Sequence, residues 1–391
     1  MHRHRLFLLL LLGLGVTLAA AGPPARAADL PPPRWLEVTT VSANGVEQTR
    51  AGLALIEAQD GSLLLETATQ QLHLLAGDTV TSRKQLTPVA ELSARSLGQQ
   101  VLAELPGRFS LLTTRHYCIC YDTSPGYARW AAALFERLHR GFHAFWSQLG
   151  MPISPPDHPL IVIIFADRQA YEAAAQTEVG TAAHSIVGYY NQLTNRVTSF
   201  DLTGSDTLRH RRTTSPGRAG TDILSSPEAA GLVATLVHEA THQLAFNAGL
   251  HQRLAPIPVW VSEGIATYFE TPDLGSHTGW QAIGSINRPR LALIRQRFTP
   301  GLLTRMVASD EPFRSPDEGL VAYAHAWALV CMLAKTQREA FADYLHDLAG
   351  KQPLASESAA DRITAFETAF GASPDALETR LVRYLSSLPA D

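Results

Sequence analysis

The chain has 391 residues and a formal net charge of −4, and it is 46% hydrophobic and 17% charged. That length sustains a large core or two to three domains, and the composition belongs to a folded soluble chain rather than a disordered one. A clustered basic excess is missing, so nucleic acid is not expected as a partner.

The N-terminus places Arg3 and Arg5 ahead of an apolar run from Leu6 to Ala21, followed by the small-x-small triplet Ala25-Arg26-Ala27. The run is shorter than the roughly 20 residues that span a bilayer, so residues 1–27 read as a cleaved signal peptide rather than a kept anchor. No cysteine follows the run, which argues against a lipid anchor. The expected product is exported, periplasmic or extracellular, with no transmembrane span after signal cleavage.

Residues 35–88 read as a small β-barrel-like module or meander. Short runs such as LEVTTV, LALIEA and SLLLET are separated by Asn44-Gly45 and Asp60-Gly61, dipeptides that accept the positive φ of tight hairpins. Residues 89–107 form a helical linker. HYCICY then reads as a strand, and 127–150 as a helix with Trp130, Leu134, Leu138, Phe142 and Phe145 at helical spacing and a stop at Gly150. HPLIVIIFA is a buried strand, and SIVGYYN and RVTSFDL are two more. The aromatic residues at 130, 142, 145 and 146 are assigned to the core. The segment 203–225, with its RHRR stretch, reads as a solvated loop. Beyond Pro227 nearly everything reads as helix. The fold class is therefore α+β: a β module, an α+β half at 108–250, and a helical half at 251–391.

Three cysteines are too few for a disulfide framework. Cys118 and Cys120 share one face of one strand and are not placed to bridge. Cys331 reads as a buried thiol.

The stretch LVHEATHQL carries the chemistry. Its helix is expected to start at Ser226, Pro227 and Glu228 and to stop at Gly249. Between Glu228 and Arg253 the only formally charged residue is Glu239, and the helix is apolar almost all round. Two buried imidazoles and a carboxylate without partners would cost several kcal/mol. His238 and His242 lie one turn apart on one face and can ligate one divalent ion. Glu239, rotated by about 100°, misses the ion but reaches a water beside it. That is the arrangement HExxH implies, two ligands and a general base, although two histidines with ordinary hydrogen-bond partners would fit the same letters. A second helical stretch, IPVWVSEGIATYFETP, returns a carboxylate 21 residues after His242. Two histidines and Glu263, with a fourth position for water, form a catalytic zinc set. Gly264 leaves room for a close helix approach. Glu270, two turns beyond Glu263, is either an acceptor for a ligand histidine or a surface carboxylate.

HEATHQLAFN followed by WVSEGIATYFE resembles the gluzincin metallopeptidases of the peptidase MA-like clan. Within it, GYYNQLTNRVTSFDLTG, VHEATHQLAFNAGL, SEGIATYFETPDL, GWQAIGSINRPRL and AYAHAWAL are most similar to the bacterial family called domain of unknown function 1570, over a stretch from about Arg115 to the C-terminus. The resemblance implies a zincin-like domain of mixed sheet, active-site helix and helical half. It implies one Zn2+ held by His238, His242 and Glu263, with Glu239 as base and a peptide or protein as substrate. The thermolysin-like pattern has an aspartate four residues after the ligand glutamate, where this chain has Thr267. Family members often place a Tyr or His from the helical half at the oxyanion, and Tyr323 and His325 are the candidates. They also bind extended substrate along an edge strand, for which 186–191 or 196–201 are the candidates. Arg288 and Arg290 meet a substrate carboxylate or are surface residues. Two other readings remain: a zinc hydrolase of envelope amides or esters, and a catalytically idle zinc-containing binding protein. Oligomeric state is not legible.

Overall fold

The computed structural model of the protein describes residues 34–88, 91–151, 153–204, 224, 229–271 and 283–389. The expected signal at 1–27, the RHRR stretch, the helix start at Ser226, Pro227 and Glu228, and the Pro272 boundary lie outside them.

Strands β1 (Arg34–Val41), β2 (Glu47–Glu57), β3 (Leu63–Thr67) and β4 (Leu72–Leu75) run as an antiparallel meander, and β5 (Val80–Gln85) returns to pair with β1. The β1–β2 turn uses Asn44-Gly45 as expected, with Gly45 at φ 79. Strand order is β4-β3-β2-β1-β5, so the module is an open meander and not a closed barrel. Alternation along the strands gathers Leu36, Val38, Ala54, Leu63, Leu65 and Leu75 into a small core. The outer strand β5, VTSRKQ, is polar and exposed, which discourages edge-to-edge pairing.

Helix α1 (Ala94–Glu104) fills the linker, capped by the Ser93 hydroxyl. It covers the thiol face of the next sheet: Cys118 Sγ donates to the Ala94 carbonyl, and all three cysteines are free and buried. That sheet has the order β6-β7-β8-β10-β9. Its strands are β6 (Ser110–Thr113), β7 (Tyr117–Tyr121), β8 (Leu160–Phe165), β9 (Gly188–Asn191) and β10 (Arg196–Phe200). β7, β8 and β10 are parallel, and β6 and β9 are antiparallel to their neighbours. The all-apolar LIVIIF sits at the centre because both its faces are covered. Of the two candidates, β9 is therefore at an edge of the sheet, as β6 is at the other, while β10 is interior and is ruled out for that role.

Helix α2 (Pro125–Leu149) matches the expected element, ending at Gly150 with φ 86. Two elements, β6 and α3 (Arg168–Val179), were not expected. The buried stripe of α3 is only Tyr171, Ala175 and Val179, too thin to register as a periodic signal.

The C-terminal half is helical: α4 (Ala230–Asn247), α5 (Val259–Phe269), α6 (Arg288–Gln296), α7 (Leu302–Ala308), α8 (Glu311–Arg314), α9 (Gly319–Thr336), α10 (Arg338–Ala349), α11 (Ala359–Phe370) and α12 (Pro374–Ser387). Helix α9 is apolar enough to cross a membrane by length and composition, but it is buried inside the fold. Helix α4 is bolted to the sheet by Gln243, whose Nε2 donates to the carbonyls of Ile161 (2.9 Å) and Asn195 (3.0 Å). Helix α5 is held by Phe269, which packs against Phe142 and Trp146 of α2 with ring centres 5.2 and 6.3 Å away. These aromatics are core residues, as assigned.

Candidate metal centre

Helix α4 is almost wholly buried through its second half, and its face bearing His238 and His242 looks onto α5. The two Nε2 atoms lie 3.2 Å apart. From α5, Glu263 brings Oε2 to 3.2 Å from His238 Nε2 and Oε1 to 3.5 Å from His242 Nε2. Donors bound at about 2.0–2.1 Å to a tetrahedral ion stand about 3.3–3.4 Å apart; the two imidazole nitrogens are near that separation, and each has a different oxygen of the Glu263 carboxylate at a similar distance. His238, His242 and Glu263 form the group among the described residues whose donor atoms converge in this way.

The chemistry of the donors fits a cation as well as the spacing does. Glu263 is 1% exposed, and its Oε1 has no hydrogen-bond donor. Burial alone would raise the Glu263 carboxyl, but His242 and His238 beside it hold it down. Burial would likewise lower His238, yet the Glu263 and Glu270 carboxylates pull it strongly upward. Both shifts say that the carboxylates demand positive charge at the imidazole edge. Glu239, Glu263 and Glu270 against Arg290 leave a net charge of −2 when the imidazoles are neutral, which a divalent ion balances.

Glu263 reaches this point because α5 lies close against α9. A Cβ on Gly264 would stand 2.6 Å from Val330 Cγ2 and 2.8 Å from the Ala326 carbonyl oxygen. The glycine is thus a contact requirement, as its place beside the ligand suggested.

Glu239 is not part of the donor triangle. Its Oε2 accepts a 2.8 Å hydrogen bond from the Tyr190 amide on edge strand β9, and the side chain is buried. Burial raises its carboxyl, against the lowering pull of both histidines. A raised carboxylate beside a cation site suits a group that must take and return a proton.

Glu270 faces the candidate ligand His238, its Oε2 lying 3.1 Å from His238 Nδ1. That bond fixes the imidazole with Nε2 toward Glu263. Glu270 is itself held by Arg290 (Nε to Oε1, 2.8 Å; Nη2 to Oε2, 3.2 Å) and by Asn287 Nδ2 (2.7 Å). Arg290 is therefore neither a surface residue nor free to meet a substrate carboxylate, whereas Arg288 is exposed. Thr267, at the place of the thermolysin-like aspartate, donates its hydroxyl to the Glu263 and Gly264 carbonyls of its own helix. The acceptor beside His238 Nδ1 is instead Glu270, three residues beyond Thr267.

Tyr323 is buried against Phe313, with the Arg290 guanidinium 5.6 Å above its ring. It is thereby linked to the ligand set through Arg290 and Glu270. His325 faces elsewhere: its Nδ1 bonds the Val321 carbonyl and its ring lies on Phe298. The role of Asn287 and the Tyr190 amide escaped sequence reading. NRPR is polar punctuation before a helix, and a backbone donor leaves no letter in the sequence.

Residues 232–355 match a family described only as a protein of unknown function, DUF1570. The match spans α4 to α10 and takes in all three candidate ligands, Glu239, Glu270, Arg290 and Tyr323. The α+β half ahead of residue 232, where the resemblance was also expected, lies outside it. No curated protein matches the chain.

Proposed function

We propose that the protein is an exported zinc-dependent hydrolase of gluzincin type, acting on peptide bonds. The observation that carries this reading is the convergence of His238 Nε2, His242 Nε2 and the buried Glu263 carboxylate to within 4.8 Å of one another, with Glu239 buried beside them on a separate partner. Zinc at that point supplies Lewis acidity toward water and a substrate carbonyl. Glu239 takes the proton of the attacking water and returns it to the leaving amine. Glu270 and Arg290 keep the His238 ring turned so that Nε2 faces Glu263 and His242. Tyr323 is the proposed donor to the developing oxyanion, and β9 is the edge along which an extended peptide pairs. A purely structural site has no need of a base, and burying the Glu239 carboxyl has a cost that an idle protein would not recover. The experiment is a digest of an unbiased peptide library by the zinc-loaded mature chain, alongside Glu239→Gln. Cleavage by the first and none by the second supports the reading; no cleavage by either removes peptidase activity.

A further inference from the structure

Among the described residues, the β3–β4 turn of the N-terminal β module bonds to the catalytic half, and one line of these bonds leads to Glu239. Between β3 and β4, Gln70 takes a left-handed backbone (φ 66) although it is 5% exposed. A non-glycine residue keeps that conformation where its surroundings hold it. Here the Gln70 carbonyl accepts from Arg253 Nη1 at 2.9 Å, and its Nε2 donates to the Pro159 carbonyl at 3.1 Å. Arg253 also donates to the Gln192 carbonyl and pairs with Glu66 of β3. The Leu72 amide of β4 donates to the Leu193 carbonyl at 2.7 Å. Two of these bonds, from Arg253 to Gln192 and from Leu72 to Leu193, end on the turn between β9 and β10.

That turn carries Asn195, also left-handed (φ 58) and fully buried. Its Nδ2 donates to Gln70 Oε1 (3.0 Å) and Asn247 Oδ1 (2.8 Å). Its Oδ1 accepts from Asn247 Nδ2 (2.8 Å) and from the Tyr190 hydroxyl (2.7 Å). The amide of the same Tyr190 holds Glu239 Oε2 at 2.8 Å. Three consecutive residues thus link the module to the acid group: Gln70, Asn195 and Tyr190.

We propose that the β module is a positioning element, and that Gln70, acting through Asn195 and Tyr190, sets the place of the Glu239 carboxylate. The proposal rests on the catalytic role given to Glu239 above. β9 is four residues long and paired on one side only, so its outward amide lacks the restraint that a second strand would give. The Tyr190 hydroxyl supplies that restraint from the turn. Gln70, Asn195 and Tyr190 are all buried, so water does not substitute for a lost bond.

The test uses the full mature chain and three variants. Gln70→Met keeps the volume and removes the bonds; Gln70→Gly keeps the left-handed backbone and removes the side chain; Tyr190→Phe removes only the hydroxyl. Amide hydrogen exchange at Tyr190 is read together with zinc content, kcat and KM. Losing one buried bond in the relay should speed Tyr190 exchange about tenfold in each variant. Zinc content should hold, kcat should fall with KM unchanged, and Gln70→Met with Tyr190→Phe should cost no more than the larger single change. A Tyr190 amide as protected in both Gln70 variants as in the parent, or additive losses in the pair, overturns the proposal. Exchange needs no turnover: faster exchange in a chain that cleaves nothing sustains the brace and sinks the peptidase. Normal exchange in a variant chain that still cleaves does the reverse.

Discussion

Gly264→Ala tests the geometry of the ligand helix. Alanine in a helix interior ordinarily stabilises relative to glycine by about 1 kcal/mol. Here the new Cβ meets Val330 Cγ2 at 2.6 Å and the Ala326 carbonyl oxygen at 2.8 Å, where ordinary contact begins at 3.4 Å. The side chain of Val330 can turn; the carbonyl of α9 cannot. Helix α5 must then back away from α9 by roughly 0.6 Å, the difference between 3.4 and 2.8 Å. Overpacking of this kind costs about 1–3 kcal/mol, which exceeds the propensity gain. Metal donors tolerate only about 0.2 Å, so the retreat also pulls Glu263 out of register with the two histidines. The expected outcome is a lower melting temperature and at least about tenfold weaker zinc binding in a chelator competition. Adding Val330→Ala should recover part of the stability and little of the affinity, because the carbonyl contact remains. A Gly264→Ala chain that melts and binds zinc as the parent does would refute the packing argument.

Glu270→Gln leaves His238 Nδ1 with a weaker, uncharged partner and should lower zinc affinity about 10–100-fold while the fold, read by circular dichroism, is kept. Arg290→Met should act in the same direction through Glu270, and the double change should be less than additive in zinc affinity. Glu239→Gln should retain zinc and lose about 10²–10⁴ in kcat on a cleaved peptide; retained turnover would remove Glu239 as the base. His139 is buried beside His116 and His143, and its Nε2 has no partner. Burial and then the charge of His116 and His143 push it from 6.5 down to about 3. Because the unfolded chain binds this proton first, stability is present above the unfolded value and is lost as pH falls from about 6.5 toward 3, by up to about 1.4 kcal/mol per pH unit. Urea unfolding at pH 7 and pH 5 should show a smaller difference for His139→Phe than for the parent; an equal difference would contradict it.

The elements with a strong period were legible: the helix ending at Gly150, the LIVIIF strand, the Asn44-Gly45 turn and the described body of the HExxH helix lie where the pattern put them. Helix α3 was not, because its buried stripe is tyrosine, alanine and valine among polar residues. The open form of the first sheet could not be read either, since closure depends on pairing between β4 and β5, which alternation does not encode. At the site, helical spacing put His238 and His242 on one face, and the return helix together with the family resemblance pointed to Glu263; the structure brings these three side chains together. The supporting residues did not follow. Arg290 reads as a surface arginine until Glu270 is known to face it. Gln70 and Asn195 are ordinary polar letters whose importance lies in a left-handed backbone and a contact between distant segments.

Metal analysis of the purified mature chain and of His238→Ala tests the central claim most directly. The account predicts about one zinc per parent chain and none in a folded His238→Ala chain. A parent chain without metal after careful handling, or a variant that keeps its zinc, would contradict it.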